Sequence, residues 1–241
     1  MLQKTRGIIL HSIKYGDSGL ITSIYTELFG RMSFITQGTR SKKSLVKSSN
    51  LQSLFLVEIE LYYKPGRELQ RIREIKNSAP FSSLPFEITK STQAIFIAEI
   101  LNKILREEES QPALFEFLFN SIRLLDLLED GIANFYLVFL VQLSRFLGFG
   151  PTNNFSEDNP CYDLMAGIFV PVTPTHPHYL NRDESAVFSK LLEMSYQDLT
   201  NLSIEKQIRK VLPDRILEYF NLHTGINLNI KSLEIVREIL H

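Results

Sequence analysis

From Thr5 to Lys76 the apolar residues recur at every second position or gather in short β-branched and aromatic runs separated by turn residues. The clearest case is residues 54–63, where Phe55, Val57, Ile59 and Leu61 alternate with Glu58, Glu60 and Tyr62. One side of such a strand can meet a core while the other meets water. The pattern predicts five strands, at about 5–13, 20–26, 32–37, 54–63 and 68–76. The turns between them are "YGDSG" (15–19), "ELFGR" around Gly30, and "KPGR" (64–67), where Pro65 presets φ and Gly66 tolerates a positive φ. Five short strands with a longer connection between the third and fourth suit a small closed barrel such as an OB-fold, which leaves no sheet edge exposed.

Past Pro80 and Pro85 the period changes to that of helices. A helix over about 90–106 carries Ile95, Ala98, Leu101, Ile104 and Leu105 on one face, and the "EEES" of 107–110 is its polar exit. Ser110 is placed to cap the next helix, with Pro112 in its first turn and Leu114, Phe115, Leu118, Ile122 and Leu125 inward, before Asp130 and Gly131 end it. A third helix over about 132–147 is apolar nearly all round, hence central, and stops at Gly148 and Gly150-Pro151. Residues 151–180 lack helical periodicity and are rich in proline, which predicts an irregular connector with one short hairpin around Ala166-Gly167. Helices resume at about 182–194, 203–222 and 230–240. The expected class is α+β: a five-stranded OB-fold barrel over residues 1–80, then an all-helical domain over 81–241 whose packing at 151–180 rests on prolines.

Composition adds a polarity to this division. The net charge of -1 conceals 13 Lys+Arg against 6 Asp+Glu in residues 1–80, a balance of +7, and −8 in the remainder. An N-terminal part suited to polyanions and a C-terminal part suited to another partner, such as a protein, would carry that asymmetry; charge scatter is the alternative. Between Glu27 and Glu58 stand Arg31, Arg40, Lys42, Lys43 and Lys47 with no acid among them. A basic loop hung from a small barrel, with Tyr and Phe on neighbouring strands, is a physical recipe for holding single strands whatever their sequence. A solvated loop that keeps the chain soluble is the other reading. Arg71 and Arg73, two positions apart on the fifth strand, share a face and extend a basic track with Lys14, Arg31 and Arg6, unless they are spent on cross-strand pairs with Glu58 and Glu60.

Other chemistry finds little support. One cysteine, Cys161, gives neither an internal disulfide nor a multi-cysteine zinc site, and fits a reducing compartment. His176 and His178, in "THPHY", read as a surface loop, because a closed metal site needs further ligands. No G-x-S-x-G, Walker A, G-x-G-x-x-G or H-E-x-x-H occurs, and Glu107–Glu109 read as a solvated face. No catalysis, cofactor or metal is expected. "MLQKTRGIIL" lacks a secretory apolar core, and the run from Phe135 to Leu143 is too short for a bilayer, so the cytoplasm is the default and no membrane is expected.

The residues also carry a family likeness. The Thr5-Arg6-Gly7 start, Tyr15-Gly16-Asp17, Phe29-Gly30, Gly38-x-Arg40, Leu51-Gln52 and Glu68-Leu69 together resemble the N-terminal domain of the RecO family of bacterial recombination mediators. "FLVQLSRFLGFGP" (139–151) and "LHTGINLNIKSLEIV" (222–236) resemble its helical part, so the likeness spans the chain. It implies an OB-fold that binds single- and double-stranded DNA and anneals complementary strands. It further implies a helical domain that meets the single-strand-binding protein's C-terminal tail and a RecR-type mediator protein, helping to load a RecA-type recombinase. The family's basic loop falls on Arg40, Lys42 and Lys43. Some members hold zinc with four cysteines after the L-G-x-x-P segment; here only Cys161 stands there, so no zinc is assigned. An OB-fold RNA-binding protein and a protein-binding adaptor without a nucleic-acid role are the rival readings.

Overall fold

In the computed structural model, which describes residues 1–16, 19–36, 48–107 and 109–240, the alternating N-terminal segment closes on itself. Its strands are β1 (Leu2–Tyr15), β2 (Gly19–Thr26), β3 (Gly30–Thr36), β4 (Leu56–Tyr62) and β5 (Leu69–Asn77). They form a closed barrel in the order β1-β2-β3-β5-β4, the OB-fold expected from the pattern. All neighbours are antiparallel except β3 and β5, whose parallel ladder joins Ser33–Leu69, Phe34–Gln70 and Ile35–Arg71. Val57, Ile59 and Leu61 point inward, as their alternation requires, and meet Ile9, Ile24, Phe34 and Ile75 in the barrel core.

Two compact units follow the chain, Met1–Leu127 and Leu128–His241. The first contains the barrel with α1 (Ile88–Ile104) and α2 (Pro112–Leu127). α1 packs against both β1 and α2, so it is buried on most sides: Phe96, Ile97 and Ile100 are as buried as Ala98 and Leu101. Ile95, expected inward, is 52% exposed. A helix held between two surfaces has no single apolar stripe from which its burial can be read. Ser110 likewise does not cap α2. The first helical bond runs from the Phe115 N–H to the Gln111 carbonyl, and the Ser110 hydroxyl donates instead to the Glu27 carbonyl.

That contact belongs to a close approach between the β2–β3 turn and the segment after α1. Gly30 adopts φ +62°, and a Cβ there would lie 2.4 Å from the Glu109 carbonyl oxygen. Only glycine fits such a conformation at such a distance. A second tie fixes the linker behind the barrel. The Asp126 carboxylate, at the end of α2, accepts from the backbone N–H groups of Ser82, Ser83 and Leu84 at 2.9, 2.9 and 2.7 Å. The buried Lys90 ammonium donates to the Ser83 hydroxyl and the Asp126 carbonyl.

In the second unit α3 (Ile132–Phe146) buries an unbroken run from Asn134 to Val141, which fits its all-round apolar sequence. The connector contains the expected hairpin, β6 (Cys161–Asp163) and β7 (Ile168–Val170), turning at Gly167 with φ +72°. It also contains an unforeseen third strand, β8 (Tyr179–Leu180), on the other side of β6. Aromatic packing and hydrogen bonds hold this sheet, where prolines were expected to. The Tyr162 ring meets Phe169 and Phe188 with centroids 4.7 and 4.8 Å away. The Ser185 hydroxyl accepts from the Tyr162 N–H and donates to the Leu180 carbonyl. His176 and His178 are not a bare surface loop: His178 Nδ1 lies 2.6 Å from Glu218, and His176 Nε2 lies 3.3 Å from Asp163. α4 (Arg182–Glu193), a 3-10 turn over Tyr196–Asn201, α5 (Lys206–Thr224) and α6 (Leu233–Leu240) complete the unit. Among the described residues no helix is long and apolar enough to cross a membrane, and no cluster of His, Cys, Asp and Glu is arranged to hold a metal.

Candidate nucleic-acid interface

Register decides which side chains share a surface, because partners across a ladder point to the same face. Ile13 is paired with Ile21, Ile21 with Ile35 and Ile35 with Arg71. These four residues form one outward row across β1, β2, β3 and β5, with Arg71 exposed at its end. One position further along, Lys14 is paired with Leu20 and Leu20 with Thr36. Lys14 is exposed at this mouth of the barrel, beside the point where the chain leaves β3. The residues that follow Thr36 include Arg40, Lys42, Lys43 and Lys47, all of which lie outside the described residues. Neither Lys14 nor Arg71 has a carboxylate partner among the described residues.

The other basic residues of the sequence-drawn track are committed elsewhere. The Arg31 guanidinium, at the opposite end of β3, donates to the Asn102 and Leu105 carbonyls at 2.7 and 2.8 Å and to Asn102 Oδ1 at 3.1 Å. It thereby satisfies carbonyls at the end of α1 that have no helical partner, and burial holds its pKa below the ordinary arginine value. Arg6 forks onto Glu27 at 2.9 and 2.7 Å, meets Glu116, and lies over the rings of Phe115 and Phe119. The Glu27 bond is the main reason that the Arg6 pKa is raised, and Arg6 holds the Glu27 carboxyl below its usual range. Arg73 falls in a bulge of β5 and pairs with Glu60 at 3.2 Å, the cross-strand use weighed from the sequence. Lys4 shares that carboxylate. The track through Arg6, Arg31 and Arg73 therefore breaks up. Sequence spacing located the charges but not the carbonyls and carboxylates that the fold brings to them.

The barrel's faces consequently differ in charge balance. On β4 the outward positions are Glu58, Glu60 and Tyr62, next to Glu74 of β5. A groove of about 350 Å³ on this side is lined by Lys4, Arg6, Glu58, Glu60, Glu74 and Lys76, whose charges largely answer one another. Phosphates would meet carboxylates there. On the β1–β2–β3–β5 face they would meet Arg71 and an apolar row, with Lys14 at the mouth beyond it. That row was the feature missed from the sequence. Its signal was present, since Ile13, Ile21 and Ile35 are apolar at outward positions, while the inward positions beside them include Ser12, Thr22 and Thr36.

Comparison with known proteins agrees with this architecture over nearly the full length. The family pattern described as "Recombination protein O N terminal" matches residues 1–81, and "Recombination protein O C terminal" matches residues 85–234. A DNA repair protein RecO of Bacteroides fragilis is 40% identical over 240 residues, covering 99% of each chain. The protein of the same description from Azobacteroides pseudotrichonymphae is 38% identical over 239 residues, again covering 99% of each chain. That of Flavobacterium psychrophilum is 33% identical over 237 residues, covering 98% of each. An OB-fold barrel followed by helices, matched in order by both family patterns and by relatives of the same length, identifies this chain as a member of the RecO family of DNA repair proteins.

Proposed function

We propose that this chain is a non-enzymatic, cytoplasmic mediator that binds single- and double-stranded DNA and brings complementary strands together. Residues 1–80 hold the nucleic acid on the loop-bearing mouth and the β1–β2–β3–β5 face of the barrel. The contacts are Lys14, Arg71, Arg40, Lys42, Lys43 and Lys47. Residues 81–241 recruit a RecR-type mediator protein and the single-strand-binding protein's C-terminal tail, and the assembly helps to load a RecA-type recombinase. Annealing follows from charge neutralisation, since two strands approach only when their phosphates are screened. The observation that carries the reading is that Lys14 and Arg71 stand exposed, without carboxylate partners among the described residues, at the end of the barrel where β3 ends and after which the sequence carries Arg40, Lys42, Lys43 and Lys47 with no acid among them.

The test is a salt titration of oligonucleotide binding by the full chain and by an Arg40→Ala/Lys42→Ala/Lys43→Ala variant, with Arg71→Ala alongside. Each lost phosphate contact should flatten the slope of log K against log salt by roughly 0.7 on single strands. Affinity should fall for every sequence, and annealing of complementary strands should slow with it. Unaltered slope and affinity in both variants would remove the assigned interface.

A further inference from the structure

The aromatic residues of the barrel differ sharply in what they can still touch. Phe34 and Tyr25 are buried in the core. Phe29 and Tyr63 are stacked on each other with centroids 4.5 Å apart, and Phe55 meets Phe81 edge to face. Tyr62 is exposed, but on the β4 side among the outward glutamates. Tyr15 is different. It ends β1 at the mouth, 53% exposed, two positions from Ile13 and therefore on the same face as the Ile13–Ile21–Ile35–Arg71 row. Its cross-strand partner is Gly19, which has no side chain to cover the ring, and Ile13 beside it is itself 49% exposed.

We infer that Tyr15 is a base-stacking residue and that the isoleucine row beside it forms an apolar floor, so that this face takes unpaired bases while Arg71 on the face and Lys14 at the mouth take phosphates. The inference rests on the proposed nucleic-acid interface and adds to it a discrimination that charge alone does not supply. A phosphate-binding patch reads single strands and duplexes alike, whereas an exposed ring can stack only on a base whose π-face is free. Arg71 lies at the far end of the same row from Ile13, so a strand running across β1, β2, β3 and β5 would be held at one end by a ring and at the other by a guanidinium. The β4 side is less suited, because Tyr62 shares its outward face there with Glu58 and Glu60.

The experiment compares the intact chain with Tyr15→Ala and Tyr15→Phe by fluorescence anisotropy on three dye-labelled probes. These are a single-stranded oligonucleotide, the same strand with abasic sites throughout, and the duplex. Tyr15→Ala should weaken binding of the single strand by roughly 5- to 150-fold, the range measured for one base–aromatic stack. Binding of the abasic strand and of the duplex, and the salt slope on all three, should stay at the level of the intact chain. Tyr15→Phe should retain single-strand affinity. Melting curves confirm that an exposed side chain has been removed without unfolding. Equal losses on all three probes, or no loss on any while the intact chain binds, would overturn the stacking role and leave the phosphate interface standing. An intact chain that binds none of the probes would overturn both.

Discussion

Replacing Asp126 by Asn tests the tie between the post-barrel linker and α2 with almost no change in volume. The carboxylate accepts three backbone N–H bonds, from Ser82, Ser83 and Leu84, and the Ser82 hydroxyl at 3.0 Å. An asparagine offers one oxygen. If it keeps the bonds to Ser83 and Leu84, its NH₂ group faces the Ser82 N–H and leaves a donor against a donor. An unsatisfied donor of this kind costs about 1–3 kcal/mol, and the bonds that remain lose their charge assistance. We expect a loss of about 2–4 kcal/mol, which is a fall of roughly 6–12 °C in the midpoint of the unit's thermal transition. The acid dependence supplies a second reading. Burial works against ionisation of Asp126, but the N–H groups of Ser82, Leu84 and Ser83 outweigh it, so the folded pKa lies below the ordinary value. A depressed folded pKa contributes stability in full above the unfolded value of about 4, and that contribution disappears as the pH falls through the folded one. The difference in midpoint between the intact chain and Asp126→Asn should therefore be constant from neutral pH down to about 5 and shrink below 4. Differential scanning fluorimetry at a series of pH values measures both. A midpoint within about 2 °C of the intact chain at pH 7, or a difference that grows on acidification, would refute the assignment.

Two further predictions separate structural charge and polarity from functional charge. Arg31→Ala should cost about 2 kcal/mol in urea denaturation, because it strands the Asn102 and Leu105 carbonyls at the end of α1, while leaving the salt slope of nucleic-acid binding unchanged; a flattened slope would return Arg31 to the interface. Asn154→Ala should speed hydrogen exchange at the Phe169 amide by at least about tenfold, since the Asn154 side chain pairs with both the N–H and the carbonyl of Phe169 on the outer edge of β7, and an unchanged rate would show that edge to be sealed otherwise.

The barrel was legible because strands such as β4 pair one buried face with one wetter face, and a period of two survives in the sequence wherever that holds. Val57, Ile59 and Leu61 are the plainest instance. β1, which buries Gly7 to Leu10 in a row, shows a short apolar run instead. α1 was placed but its burial was misjudged at Ile95, because a helix packed against both β1 and α2 writes no single stripe. β8 left no signal at all, since Tyr179–Leu180 is too short for any periodicity. At the site, Arg71 and Lys14 kept the exposure that their spacing implied. The roles of Arg6 and Arg31 depended on Glu116, Asn102 and Leu105, which lie some 70 to 110 residues away in the chain. Long-range partners of that kind are invisible to local pattern.

The parallel ladder between β3 and β5 has a consequence for how the barrel would respond to its ligand. It is the short seam by which the barrel closes, spanning Ser33–Ile35 and Leu69–Arg71, and Arg71 is its last rung. A strand of nucleic acid lying across the isoleucine row would bridge that seam from outside, so occupancy and closure are linked by mass action. Seam opening would then report on binding. The amides of β3 and β5 should exchange more slowly as ligand is added, those of the β1–β4 ladder should not, and the seam itself becomes a gauge of site occupancy that needs no label on the nucleic acid.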